Sequence, residues 1–115
     1  MEIKNIRKTY VVHNPVSGQA QAETVRERIQ KVMEDHQIPF EIYETTGREK
    51  LHEVVKAAID MGFEQFIAVG GDGTISGVAS GLVNTRFPLV IFPAGTVNAL
   101  ARELEIPIGT QDDMD

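Results

Sequence analysis

The chain contains no cysteine. That single absence excludes a disulfide framework, thiolate zinc sites and thiol nucleophiles. Long apolar runs are missing as well: the start, Met1-Glu2-Ile3-Lys4-Asn5, has no signal-peptide core, and no later stretch approaches a membrane span. Cations are scarce in the second half. No lysine follows Lys56, and residues 57–115 carry only Arg86 and Arg102 against eight carboxylates, so the whole net charge of −6 lies there. The first 56 residues are neutral, nine cations against nine anions. Such a balance argues against nucleic-acid binding, which needs a basic face. If the acidic half binds phosphate, backbone amides and a metal ion must do much of the neutralising. The expectation is a soluble, cytoplasmic domain.

What is present is ordinary for a folded globule: 42% hydrophobic and 24% charged residues over 115 positions, enough for one modest domain. Apolar runs alternate with helical patterns. Thr9-Tyr10-Val11-Val12, ending at Asn14-Pro15, reads as a strand buried on both faces. Apolar positions 22, 25, 29, 32 and 33 then form a helical stripe from Ala20 to about Asp35. Residues 39–44 alternate with period two, as a half-exposed strand does. Thr46 and Glu49 have capping-box spacing, and behind them Leu51, Val54, Val55, Ala58 and Ile59 trace a helix stopped by Gly62. Phe66–Val69 is a third strand, and Ile75, Val78, Ala79, Leu82 and Val83 predict a helix ending at Asn84. Leu89–Phe92 is a fourth strand, and Val97 to about Leu104 a last short helix. The order βαβαβαβα predicts a three-layer αβα, doubly wound parallel sheet with right-handed crossovers.

Ligands of such sheets bind beyond the carboxyl ends of the strands. There this chain places Asn14-Pro15-Val16-Ser17-Gly18, Thr45-Thr46-Gly47, Gly70-Gly71-Asp72-Gly73-Thr74 and Pro93-Ala94-Gly95-Thr96-Val97-Asn98. The opposite turns carry no comparable set. Three glycines within residues 70–73 serve a positive φ or a ligand's close approach to the main chain. Amides at the following helix start favour an anion, by roughly 0.3–1 kcal/mol when exposed and up to about 2 when partly buried. The plainer alternative is a tight turn in which Asp72 or Thr74 caps the helix. Among phosphate-facing amides, Asp72 suggests either magnesium binding or general-base work. Asn14, Ser17, Thr45, Thr96 and Asn98 each offer donors and acceptors for phosphate, ribose or base, but also suit turns and caps. Arg102, one turn beyond Asn98, either counters a phosphate or pairs on the surface. His13, His36 and His52 lack metal-ligand spacing and read as structural, with His52 a marginal exception because it follows the Thr45–Thr46 turn by about two helical turns. A Walker A lysine is absent, and Ser76 stands where a dinucleotide fingerprint starting at Gly71 needs glycine.

Three blocks in order carry a resemblance: N-P-x-S-G after strand one, G-G-D-G-T after strand three and P-x-G-T-x-N-x-x-A-R after strand four. Over about Tyr10 to Pro107 the chain resembles the diacylglycerol kinase catalytic domain, which bacterial lipid kinases and sphingosine kinases share. That family stands with NAD kinases and 6-phosphofructokinases in a wider superfamily. The resemblance implies ATP, with Mg2+, held by Gly70, Gly71, Asp72, Gly73 and Thr74 beside the phosphates. It also implies nucleotide contacts from Asn14, Ser17, Thr45, Thr96 and Asn98. Ser76-Gly77 replaces the family's common Asn-Glu, and Val97 and Ala99 stand where it often has Gly and Asp.

Residues 1–115 are thus expected to be the N-terminal nucleotide-binding domain of a lipid kinase, with a β-rich C-terminal domain outside this chain. The whole enzyme would transfer the γ-phosphate of ATP to a diacylglycerol-like lipid hydroxyl, and the isolated chain would be inactive. Its lipid substrate would meet the second domain, with peripheral contact at the inner face of the membrane. An uncovered domain interface could also pair two copies as a homodimer. The alternatives are an NAD kinase-like enzyme and a stand-alone, non-catalytic nucleotide-binding module.

Overall fold

Short runs rich in Val, Ile, Phe and Tyr become the strands, because such side chains fill both sides of a pleated surface. The computed structural model describes residues 7–15 and 19–93. The elements are β1 (Thr9–His13), α1 (Gln19–Asp35), β2 (Phe40–Glu44), α2 (Leu51–Asp60), β3 (Gln65–Gly70), α3 (Asp72–Gly81) and β4 (Leu89–Pro93). Ser17, Thr96, Asn98, Arg102 and the expected last helix lie outside the described residues.

All four strands are parallel, in the order β2-β1-β3-β4. Every residue of β1 is buried, as expected for an interior strand, whereas β2 at the sheet edge has only half-buried and exposed residues. Successive β1 side chains feed two separate cores. Val11 joins Ile67, Val69 and the α1 residues Val25, Ile29 and Met33 on one face. Tyr10 and Val12 join Phe66, Ala68, the α2 residues Val55 and Ala58, the α3 residue Val78 and its C-cap Leu82 on the other. Burying each of the larger side chains contributes about 1.5–3 kcal/mol. The chain leaves β1 towards β2, then crosses back over β1 to reach β3. The direction of winding therefore reverses between β1 and β3, where an open α/β sheet forms its crevice.

Gly62 ends α2 as expected. It takes φ +99, and Phe63 N–H donates to the Ala58 carbonyl at 3.1 Å while the Phe63 ring buries. Two expectations change. The third helix stops at Gly81 rather than Asn84, since Thr85 donates both its hydroxyl (2.7 Å) and its N–H (3.0 Å) to the Leu82 carbonyl. Asn84 then turns the chain at φ +66, and Val83 and Ala79 leave the buried stripe for the surface. The Thr46–Glu49 pair also forms, but not at a helix start: α2 begins at Leu51 with Lys50 as its N-cap.

Candidate functional site

Three turns meet at the carboxyl ends of β1, β2 and β3. They enclose a cleft of about 320 Å³ lined by Asn14, Thr45, Gly47, Glu49, Leu51, Gly73, Thr74 and Gly77. Asn14 continues β1 through its N–H, which donates to the Val69 carbonyl at 2.9 Å. Its side chain spans the reversal point, Nδ2 donating to Thr74 Oγ1 at 3.2 Å. Thr74 is almost wholly buried, so this bond fixes a hydroxyl at the cleft floor. Thr45 extends the ladder past β2, its N–H donating to the His13 carbonyl at 2.9 Å.

The β3–α3 turn follows from its glycines. A Cβ on Gly70 would come within 2.7 Å of Thr74 Oγ1 and 3.0 Å of Asn14 Cβ, so only glycine admits that pair. Gly71 is the N-cap of α3 with φ −89, no side chain caps the helix, and nothing crowds Gly71 or Gly73 within 4 Å. Positive φ is therefore not what these glycines supply: Gly70 permits close approach, and Gly71 and Gly73 leave the turn open. Asp72 is the first residue of α3 and exposed, which removes the simple capping role. It flanks the cleft rather than lining it. Among the described residues no three His, Asp or Glu side chains gather as a metal-binding group.

The opposite wall holds a carboxylate whose place the capping-box reading missed. Glu49 accepts N–H bonds from Thr46, Gly47 and Arg48 at 2.9–3.1 Å, the Thr46 hydroxyl at 3.2 Å and the Tyr43 hydroxyl at 2.6 Å. The Tyr43 hydroxyl, followed by the turn amides, holds its pKa down to about 2. The same bond, with Glu49's charge adding, pushes Tyr43 up to about 12.

Beneath the cleft α2 and α3 nearly touch. Cβ atoms on Gly77 and Gly81 would lie 2.8 Å from Leu51 Cβ and 2.7 Å from Val55 Cβ. Leu51 thus fills the space beside Gly77, where a side chain at that position would collide with it. The histidines stay away from the cleft. His36 Nδ1 lies 3.0 Å from the Val32 carbonyl on the last turn of α1, and His52 is 3.9 Å from Glu53. His13 is 3% exposed with Nδ1 unpaired, 3.6 Å from Glu44. Burial, then the Arg26 charge, lowers its pKa.

Sequence comparison decides the family. Residues 8–115 match the family profile of the Diacylglycerol kinase catalytic domain. The chain belongs to that family. It is 33% identical over 107 residues to a diacylglycerol kinase of Bacillus subtilis, spanning 89% of this chain and 34% of that protein. Against sphingosine kinase 1 of Arabidopsis thaliana the figures are 28% over 111 residues, 90% and 23%. An uncharacterized Synechocystis protein is 39% identical over 119 residues, with 91% and 27% covered. The chain therefore spans about a quarter to a third of the length of these relatives. No described helix is long and apolar enough to cross a membrane.

Proposed function

We propose that this chain is the nucleotide-binding domain of an ATP-dependent lipid kinase that phosphorylates a diacylglycerol-like hydroxyl. The observation that carries the reading is the uncapped start of α3, open at Gly71 and Gly73, joined across the reversal point by the Asn14–Thr74 bond. Helix-start amides take phosphate oxygens, Thr74 holds a fixed hydroxyl beside them, and Thr45 offers a second polar contact on the facing wall. Ser17, Thr96 and Asn98 complete the nucleotide contacts in this proposal.

Phosphoryl transfer of this kind is largely positioning plus charge stabilisation. Mg2+ would neutralise phosphate charge there. It commonly binds through one or two carboxylates together with substrate phosphates and water, which suits a single flanking Asp72. Standing beside the phosphate-facing amides, Asp72 fits that role better than proton abstraction from a distant hydroxyl. The lipid and the membrane surface are assigned to a further, β-rich domain, a division supported by the greater length of the relatives.

The test has two arms. Calorimetric titration of the protein with Mg2+–ATP should show binding that Gly73→Val abolishes, and absence of binding by the wild type would overturn the reading. In the full-length protein, labelled ATP should transfer phosphate to diacylglycerol. Transfer to NAD instead would select the NAD kinase-like reading, and transfer to neither the non-catalytic module.

A further inference from the structure

The β2–α2 turn is built as an anion nest whose anion is its own. Three successive N–H groups, of Thr46, Gly47 and Arg48, converge on the Glu49 carboxylate. Successive amides aimed at one point make the kind of concavity that elsewhere binds phosphate. Gly47 at φ +88 permits the curl. The carboxylate is anchored from the core as well. Tyr43 donates to it, and the Tyr43 ring stacks on the buried Tyr10 at 6.3 Å between centroids. With both oxygens already shared among these donors, Glu49 has little left with which to ligate a metal ion. Yet Thr45, Gly47 and Glu49 together line the cleft that faces Gly73 and Thr74.

We propose that Glu49 is a positioning residue for the nucleotide: by filling the nest, it shapes the β2–α2 wall and denies that wall to phosphate. The nucleotide then lies in one direction, its phosphates at the α3 start and its uncharged nucleoside part against Thr45 and Gly47. This rests on the nucleotide reading given above. Two polar walls face one cleft, and only one of them has amides to spare. An anion approaching the other meets a negative charge at close range.

The consequence separates three probes. Competition titrations of wild type and Glu49→Ala against a fluorescent ATP analogue should use ATP, adenosine and inorganic tripolyphosphate. Adenosine and ATP should weaken by the same factor, roughly tenfold. Tripolyphosphate should bind the variant as well as or better than the wild type, because the emptied nest accepts it. Formate, small enough to refill the nest, should restore ATP affinity to Glu49→Ala and leave wild type unchanged. A purely stabilising residue would move the melting temperature without this split among probes. Should Glu49→Ala fail to fold, Glu49→Ser also empties the nest and removes the charge, and the same ordering is expected. Equal weakening of tripolyphosphate, or unchanged adenosine binding, overturns the proposal. Wild type that binds none of the three overturns the nucleotide reading itself, and this proposal with it.

Discussion

The two faces of the sheet solve the packing problem in opposite ways. The α1 face is filled by aliphatic side chains, with Ile29 fully buried against Val11, Ile67 and Val69. The α2/α3 face is aromatic and tight: Tyr10 meets Phe63 edge-on at 4.8 Å and Phe66 at 6.2 Å, while Gly77 and Gly81 bring two helices together. One face has no atoms to spare, and the other has no room for more. The cleft belongs to the second face, where the close approach permitted by glycines holds its floor, the Asn14–Thr74 bond, in place.

This contrast can be broken from either side. The largest effect is expected on the aliphatic face, where Ile29→Ala leaves a void and costs about 2–5 kcal/mol by urea unfolding. On the tight face the damaging change is an addition. Gly81→Val drives new atoms into Val55 and the His52 carbonyl, with an expected cost of about 1–3 kcal/mol. If Gly81→Val proved neutral while its core stayed ordered, the close-approach account would fail. Thr74→Val keeps the shape but removes the acceptor for Asn14. It should cost about 1 kcal/mol and weaken ATP binding, read by denaturation and titration on the same sample.

A smaller effect sits at the end of β1 on the α1 face. His13 has its pKa lowered below 6.5 by burial and by Arg26, with Glu44 of β2 beside it. The unfolded chain takes up this proton at about pH 6.5 while the folded chain resists. This contribution is therefore complete above pH 6.5 and declines as the pH falls towards the folded value. His13→Gln should flatten that segment of a stability–pH curve; an unchanged slope would contradict it. Smallest of all is the exposed Lys31–Asp35 pair at 3.3 Å on α1. Lys31→Ala should cost no more than about 0.5 kcal/mol, which calibrates what a surface contact contributes beside a core one.

Much of this was legible from spacing alone. The apolar repeat located α1 and α2, and the buried run Thr9–Val12 marked an interior strand. Asn14, Thr45, Gly73 and Thr74 were all placed at one end of the sheet by counting turns, and they do line one cleft. Periodicity failed at Val83, because a threonine two residues later takes the carbonyl of Leu82 and ends the stripe. It also misjudged Thr46 and Glu49. The spacing foretold their bond, but with Gly47 at φ +88 it closes a loop, and the helix takes its cap at Lys50, four residues after Thr46. The bond between Asn14 and Thr74, and the fit of Gly81 against Val55, depend on which strands and helices become neighbours. Local pattern carries no such information.

The Asn14–Thr74 bond joins residues 60 apart in the chain. Neither β1 with its helix nor β3 with its helix can make it alone, so the cleft floor exists only once the two halves have docked. Contacts this distant are made only once the loop-closure entropy between their ends has been met. The cleft is thus a product of completed folding rather than of any one segment. A ligand that binds it discriminates the finished molecule from every partly assembled form, and its presence draws the folding equilibrium towards completion.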